Sequence, residues 1–289
     1  MMFNVKLFFN TIRYKDWIKN TFVFVPSFFG QNLINTCRDP HIWFTFISFC
    51  LAASIGYVVN DWADLQVDRI HPKNRSRPIP SGQFPYESIL PLILILSIPM
   101  FLLLWKTQII IPVLLYLLVT LSYSFSLKNI PILDIVIISS GFILREWAGA
   151  LAAKVVLSYW LIILTFMSSM FLALGKRRAE LIIQHNHNIS IRPSLSFYQL
   201  KWVAFGMNML AMASCGLYLA YSLSYAVMMR LGTRHFYYST IFVVLGFLRY
   251  HYLTTVKKND NVPVDILWQD HYLQLIIFAW IAYLYVLMY

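Results

Sequence analysis

The chain has 289 residues, of which 59% are hydrophobic, 17% aromatic and only 12% charged. Soluble domains carry about 25% charged residues, so a soluble globular enzyme, a disordered chain, a collagen-like repeat and a disulfide scaffold are all excluded; the three cysteines, Cys37, Cys50 and Cys215, include no metal-ligand pair. The net charge of +11 falls mostly in short loops between apolar blocks, which suits membrane orientation, anionic headgroups and phosphate ligands, not nucleic acid.

A bilayer-crossing helix needs about 20 mostly apolar residues. In chain order, nine runs are predicted to cross: 18–36, 42–60, 86–105, 108–126, 131–152, 158–175, 198–222, 233–252 and 269–288. Pro26 and Gly30 break the first, which is tolerated where neighbouring helices satisfy the freed backbone groups. Lys6, Arg13, Lys15 and Lys19 run past the point where a signal peptide's apolar region would begin, so no cleavable leader is expected. The expected fold is an all-α integral membrane protein, a single polytopic domain over residues 1–289. With the N-terminus inside, 17 of the 23 Lys and Arg residues fall on the inner side, five fall outside, and Arg145 lies within a span. The positive-inside rule therefore places the N-terminus in the cytoplasm and the C-terminus outside, with the protein in the cell inner membrane. The long polar segments 61–85, 176–197 and 253–268 are then all cytoplasmic, and that face is where chemistry is expected.

The segment 60–82 reads NDWADLQVDRIHPKNRSRPIPSG. At about 100° per residue, Asp61 and Asp68 on a helix nearly eclipse, and Asp64 lies about 60° away. Three carboxylates with Asn60 beside them repel one another unless a cation sits between them, and hard oxygens of this kind suit Mg2+ held jointly with substrate phosphates. Lys73, Arg75 and Arg77 follow on a loop punctuated by Pro72, Pro78 and Pro80; arginine is suited to bidentate phosphate contacts. Carboxylates for a metal beside cations for phosphate make a diphosphate site. The competing reading of the acids is a solvated helix end paired with Arg69 and Lys73.

Asn60-Asp61-x-x-Asp64-x-x-x-Asp68, followed by Arg69-x-His71-Pro72 and Arg77-Pro78-Ile79-Pro80-x-Gly82, resembles the first aspartate-rich motif of the UbiA superfamily of membrane prenyltransferases. The resemblance implies a nine-helix UbiA-like bundle, a cytoplasm-facing active-site cavity and magnesium-diphosphate binding by Asn60, Asp61, Asp64 and Asp68, with the three aspartates catalytic. Most of that superfamily carries a second aspartate motif after the sixth span. This chain instead has Gly175-Lys176-Arg177-Arg178-Ala179-Glu180-Leu181. One carboxylate cluster and one basic cluster suit a substrate with a diphosphate at one end and a further phosphate elsewhere, the layout of phosphoribosyl pyrophosphate. The GKRxAEL pattern is similar to the decaprenyl-phosphate phosphoribosyltransferase branch. Trp17-x-Lys19-Asn20, Tyr123-x-x-x-Leu127-Lys128, Ser139-Ser140-Gly141-Phe142-x-x-Arg145, Leu248-Arg249-Tyr250 and Asp270-x-x-Leu273-Gln274 extend the likeness along nearly the whole chain.

The resemblance implies transfer of phosphoribosyl from phosphoribosyl pyrophosphate to a polyprenyl phosphate, self-association, and a substrate-binding set of Lys19, Asn60, Lys73, Arg75, Arg77, Tyr123, Lys128, Arg145, Lys176, Arg177 and Glu180. On the residues alone, Glu180 can pair with Lys176 or Arg177 across one turn, and Tyr123 can equally be an interface aromatic. Arg145, costly in lipid, either meets a phosphate in a wet pocket or pairs with Asp134 or Glu146. His185-x-His187 lacks a third ligand nearby and reads as loop. Two other functions remain open at this level. One is prenyl transfer from a prenyl diphosphate to an aromatic ring, which leaves the missing second aspartates unexplained. The other is an ion-coupled transporter or lipid carrier, which the concentration of charge on one face disfavours.

Overall fold

The computed structural model describes residues 5–107, 109–187, 189, 191–257 and 261–289. Gln108, in one expected crossing, and Lys258, among the inner-side charges, lie outside the described residues. Every described element is a helix. Over the length expected to form a single domain, the chain makes two compact units, Met1–Ile162 with Ile189–Phe197, and Ile163–Asn188 with Tyr198–Tyr289.

The first unit opens with α1 (Val5–Thr11), the 3-10 helix Tyr14–Phe24, α2 (Val25–Phe29) and α3 (Leu33–Arg38). The expected crossing 18–36 is therefore not one straight helix. Pro26 lies in the first turn of α2 and Gly30 ends it, so the chain restarts at each of the two residues that cannot hold a regular helix. Next comes α4 (Pro40–Ala63), started by Asp39, whose carboxylate accepts from the His41 backbone N–H at 2.9 Å. α5 (Leu65–Ile70) follows after one intervening residue. α6 (Ile89–Trp105), α7 (Ile110–Phe125), α8 (Leu133–Ala153) and the 3-10 helix all pack on α4. The buried residues of α4 include a run of small ones, Ala52, Ala53, Ser54 and Gly56, beside larger ones such as Phe49 and Ile55. Small residues let membrane helices approach closely and gain dispersion contacts.

At its glycines, the unit's closest backbone approach is between α8 and the 3-10 helix. A Cβ on Gly149 would fall on the backbone carbonyl of Val23, and backbone cannot rotate out of the way as a side chain can. Gly149→Ala is expected to destabilise the protein by about 3 kcal/mol, the upper end of overpacking costs. Gly216→Ala, with open space around its Cβ, is the matched control. Thermal unfolding in detergent of the two variants checks this.

The second unit contains α9 (Tyr159–His187, which starts in the first unit), α10 (Leu200–Leu223), α11 (Tyr225–Leu231), α12 (Thr240–Thr255), α13 (Pro263–Gln269) and α14 (His271–Met288). Phe171 of α9 packs edge-on against Phe247 and Tyr250 of α12, with centroids 4.9 and 5.1 Å apart. Asp270 caps α14, accepting from the Leu273 N–H at 2.8 Å, and receives both Arg249 Nε at 3.0 Å and Nη2 at 2.7 Å. The Leu248-Arg249-Tyr250 and Asp270-x-x-Leu273 patterns thus have a structural account: they tie α12 to the start of α14. Arg178 donates to the carbonyl of Thr254.

Six helices among the described residues are long and apolar enough to cross a bilayer: Pro40–Ala63, Tyr86–Trp105, Leu133–Ala153, Tyr159–His187, Leu200–Leu223 and His271–Met288. They match six of the nine expected crossings. Of the others, α7 is apolar but has 16 residues, and 233–252 is shared between the 3-10 helix His235–Ser239 and the 16-residue α12. Leu90, Leu94, Ile98 and Leu102 form an exposed stripe along α6. In water such a stripe is a liability; against lipid it is the expected outer face.

Candidate active site

The aspartate motif straddles a break in the helix. Asp61 lies in the last turn of α4, Asp64 is the residue between α4 and α5, and Asp68 lies in α5. Asp64 leaves helical geometry (φ −94°, ψ 11°) while its N–H still bonds Asn60 O at 2.9 Å. Asp61 and Asp68, expected to eclipse, do share a partner: Arg77 Nη1 lies 3.2 Å from Asp61 Oδ1 and 3.0 Å from Asp68 Oδ2. Asp64, expected on the same face, turns away instead, because the break reorients it, and its Oδ1 accepts from Lys128 Nζ at 2.5 Å. Asp61 also receives Arg13 through Nε and Nη2, and the Arg13 guanidinium sits 5.0 Å from the centre of the Tyr57 ring. Arg13 adopts left-handed backbone geometry (φ 52°, ψ 50°), which costs a non-glycine residue about 1–2 kcal/mol. The contacts to Asp61 and Tyr57 offset that cost.

The loop that carries Arg77 is built around His71. Its buried Nδ1 accepts from the backbone N–H groups of Lys73 at 3.2 Å and Asn74 at 3.1 Å. Asn74 Nδ2 in turn donates to Asp68 Oδ1 at 2.7 Å. Lys73 and Arg75 are exposed on the same loop. Burial pushes the Asp68 carboxyl above the usual range, with Arg77 and Asn74 pulling it back. Burial, and the neighbouring charge of Arg13, lower Arg77 in spite of Asp61 and Asp68.

No group of three His, Cys, Asp or Glu side chains among the described residues is placed to hold a metal together. The structure does place two carboxylates, Asp61 and Asp68, around one positive group. Mg2+ is usually held through one or two carboxylates, with water and substrate phosphate completing its octahedron. Two hard carboxylates flanking Arg77, whose side chain is 31% exposed, fit that requirement. Asn60 is half-buried beside them.

Lys128 is buried in the 3-10 turn Leu127–Asn129 that follows α7. Its carbonyl accepts from Ser194 Oγ at 2.9 Å, and Arg192 Nη1 donates to Tyr123 Oη at 3.1 Å. Lys19 pairs with Asp16 at 2.6 Å and lies 3.4 Å from Tyr57 Oη. Arg145 is buried within α8, and each guanidinium nitrogen is used internally. Nε donates to Asn20 Oδ1 at 2.7 Å, Nη1 to Gly141 O at 2.7 Å and Nη2 to Tyr116 Oη at 3.0 Å. Phe49, Tyr116 and Phe142 surround it.

In the second unit, Arg177 is fully buried and its Nη1 lies 2.5 Å from Glu180 Oε2. Lys176 is the exposed member of the trio, with Nζ 4.0 Å from Glu180 Oε1. The pairing of Glu180 with both bases is the one its spacing allows.

A model of the UbiA prenyltransferase family matches residues 23–268. The chain belongs to that family. Among its relatives, the decaprenyl-phosphate phosphoribosyltransferase of Mycolicibacterium smegmatis is 32% identical over 94% of this chain and 89% of its own length. That of Corynebacterium glutamicum is 31% identical over 93% of this chain and 83% of its own. The structure of a UbiA homolog from Archaeoglobus fulgidus bound to DMAPP and Mg2+ superposes with a TM-score of 0.70, covering 97% of this chain and 98% of that one at 13% identity. At that identity the likeness speaks to the fold.

This UbiA family member brings Asp61, Asp68 and Arg77 together, holds Asp64 on Lys128, and keeps Lys176, Arg177 and Glu180 as a cluster of their own. Three residues of the site have no pointer in the sequence. Arg13 and Arg192 read there as orientation charges and Asn74 as loop, since no spacing rule links position 13 to 61, 192 to 123, or 74 to 68.

Proposed function

We propose that this UbiA family member is a membrane phosphoribosyltransferase, moving 5-phosphoribosyl from phosphoribosyl pyrophosphate to a polyprenyl phosphate with release of diphosphate. The observation that carries the reading is the interleaving of acids and bases in the first unit: Asp61 and Asp68 on Arg77, Asp61 on Arg13, and Asp64 on Lys128. A diphosphate needs both kinds of group, carboxylates to hold its metal and guanidinium or ammonium groups to take its charge. The relatives named decaprenyl-phosphate phosphoribosyltransferase support the choice of donor, as does Lys176-Arg177 standing where a second carboxylate motif would serve a second metal. Topology follows the charge count, with nine crossings and with the N-terminus and the site on the cytoplasmic face of the inner membrane.

Asp61 and Asp68 are the residues that would hold Mg2+, which when bound would supply Lewis-acid neutralisation of the diphosphate. An oxygen of the acceptor phosphate forms a bond to C1 of the ribose as the C1–O bond to diphosphate breaks, and the electron pair leaves with the diphosphate. Arg77 and Arg13, beside Asp61 and Asp68, would take the negative charge that grows on that leaving group. Preorganised charge of this kind is usually the largest catalytic contribution. A phosphate monoester has its second pKa near 6, so the acceptor is already a dianion at neutral pH and no strong general base is required. Within the second unit, Arg177 paired with Glu180 stiffens the helix turn that carries Lys176.

Ligand-induced stabilisation tests the donor. A ligand at 100 times its Kd stabilises by about 2.7 kcal/mol. Phosphoribosyl pyrophosphate with Mg2+ is expected to raise the melting temperature of the detergent-solubilised protein by several degrees, and EDTA to cancel the shift. A shift given by geranyl diphosphate and not by phosphoribosyl pyrophosphate would refute the assignment.

A further inference from the structure

The segment Ile189–Phe197 belongs to the first unit although it follows α9. It is tied down where Ser194 Oγ bonds the carbonyl of Lys128, and it brings Arg192 to the hydroxyl of Tyr123. From there a short path leads to the aspartates, because Lys128 Nζ is bonded to Asp64 Oδ1. This is a second basic patch in the same unit, apart from Arg13 and Arg77. Those two arginines are engaged by Asp61 and Asp68; Lys128 and Arg192 stand on the side to which Asp64 turns.

The surroundings of this patch are amphipathic. Trp62, next to Asp61, and Phe125, two residues beyond Tyr123, meet edge-on with centroids 6.5 Å apart, and both are exposed. Leu118, on the same helix, is exposed as well. Aromatic side chains at this position mark the boundary between lipid and water. Lys128 and Arg192 both meet the end of α7, where Phe125 and its partner Trp62 are exposed; cations and exposed aromatics at one helix end fit a ligand with one phosphate head and a hydrocarbon tail. A reaction that joins two anionic substrates also needs separate charge for each, since one set of cations cannot neutralise a diphosphate and a phosphate dianion together.

We infer that Arg192, with Tyr123 and Lys128, forms the binding site for the phosphate of the lipid acceptor, distinct from the Arg13–Arg77 side that serves the donor. The inference rests on the function proposed above for its assignment to an acceptor. Arg192 is a substrate-binding residue here: its guanidinium, oriented by the Tyr123 hydroxyl, takes a phosphate oxygen bidentately as arginine does best, while Lys128 links the acceptor phosphate to Asp64.

The test is equilibrium binding to the purified full chain in detergent, with farnesyl phosphate as probe. Farnesol, which lacks the phosphate, and inorganic phosphate, which lacks the tail, serve as controls. Farnesyl phosphate is expected to bind saturably and both controls at least ten times more weakly. Arg192→Ala should weaken farnesyl phosphate about 10- to 100-fold, and Arg192→Lys and Tyr123→Phe less, with the affinity for phosphoribosyl pyrophosphate and Mg2+ and the melting temperature unchanged. In turnover, the KM for a polyprenyl phosphate should rise and that for the donor should stay. Unchanged farnesyl phosphate binding in Arg192→Ala overturns the inference, as does farnesol binding as tightly as its phosphate. An equal loss of donor affinity also overturns it, by making Arg192 a donor residue. Because the binding arms need no turnover, they decide the role of Arg192 even if the donor assignment fails. If Arg192→Ala does not fold, the lysine variant carries the same comparison.

Discussion

Asp61→Asn is expected to abolish transfer, by at least about 100-fold, and to lower stability together with it. Asp61 is buried and holds two guanidinium groups, Arg13 and Arg77. An amide of the same shape keeps the volume and removes the charge that lets those two cations sit side by side. Breaking a buried ion pair from one side costs about 3–5 kcal/mol. The lower end applies here, because the Arg77 side chain is 31% exposed and Arg13 17%, so water recovers part of the loss. In the proposed mechanism Asp61 would also hold the metal, so its loss removes activity on its own account. Two readouts separate these effects: the melting temperature without ligand, and Mn2+ binding followed by electron paramagnetic resonance. Arg13→Ala supplies the contrast. It frees Asp61 from a competing cation, so Mn2+ affinity in the absence of donor is expected to hold or rise while donor affinity falls. A fall in Mn2+ affinity for Arg13→Ala would mean that Arg13 only supports the fold around Asp61.

Arg145→Met is expected to cost about 3–5 kcal/mol of stability, with the KM of the folded fraction for its donor unchanged. The magnitude follows from what is left behind. Asn20 Oδ1 and the Tyr116 hydroxyl each lose a partner in a buried place, whereas the Gly141 carbonyl keeps its backbone bond within α8; each group left unsatisfied costs about 1–3 kcal/mol. The three aromatic rings also lose the cation they surround. Methionine fills much of the volume, which keeps the total below the simple sum. Arg145 links α8 to the 3-10 helix through Asn20 and to α7 through Tyr116, so it acts as a tie between elements. A raised donor KM with an unchanged melting temperature would instead make it a phosphate contact.

The crossings legible in the sequence are those with long, mostly apolar runs, as in α4 and α14, because hydropathy and length largely decide a lipid-spanning helix. The path from residue 14 to residue 38 is not legible beyond the warning of Pro26 and Gly30. Which of a 3-10 helix and two short α-helices forms there depends on packing against α4 and α8. The shared partner of Asp61 and Asp68 follows from helical spacing, whereas the turn of Asp64 toward Lys128 does not, because it depends on a helix break that neither proline nor glycine announces. Long-range pairs are the hardest to read. Arg13 with Asp61 and Arg192 with Tyr123 join positions 48 and 69 residues apart, and in one sequence a basic residue in an inner loop is indistinguishable from orientation charge.

The most direct test is transfer itself. Purified protein in detergent, given ribose-labelled phosphoribosyl pyrophosphate, Mg2+ and a polyprenyl phosphate, is predicted to move label into the lipid phase, with the transfer lost on adding EDTA or in Asp61→Asn. No transfer from that donor, together with prenylation of an aromatic acid when a labelled prenyl diphosphate is supplied, would contradict the proposed function and return the chain to the chemistry for which its family is named.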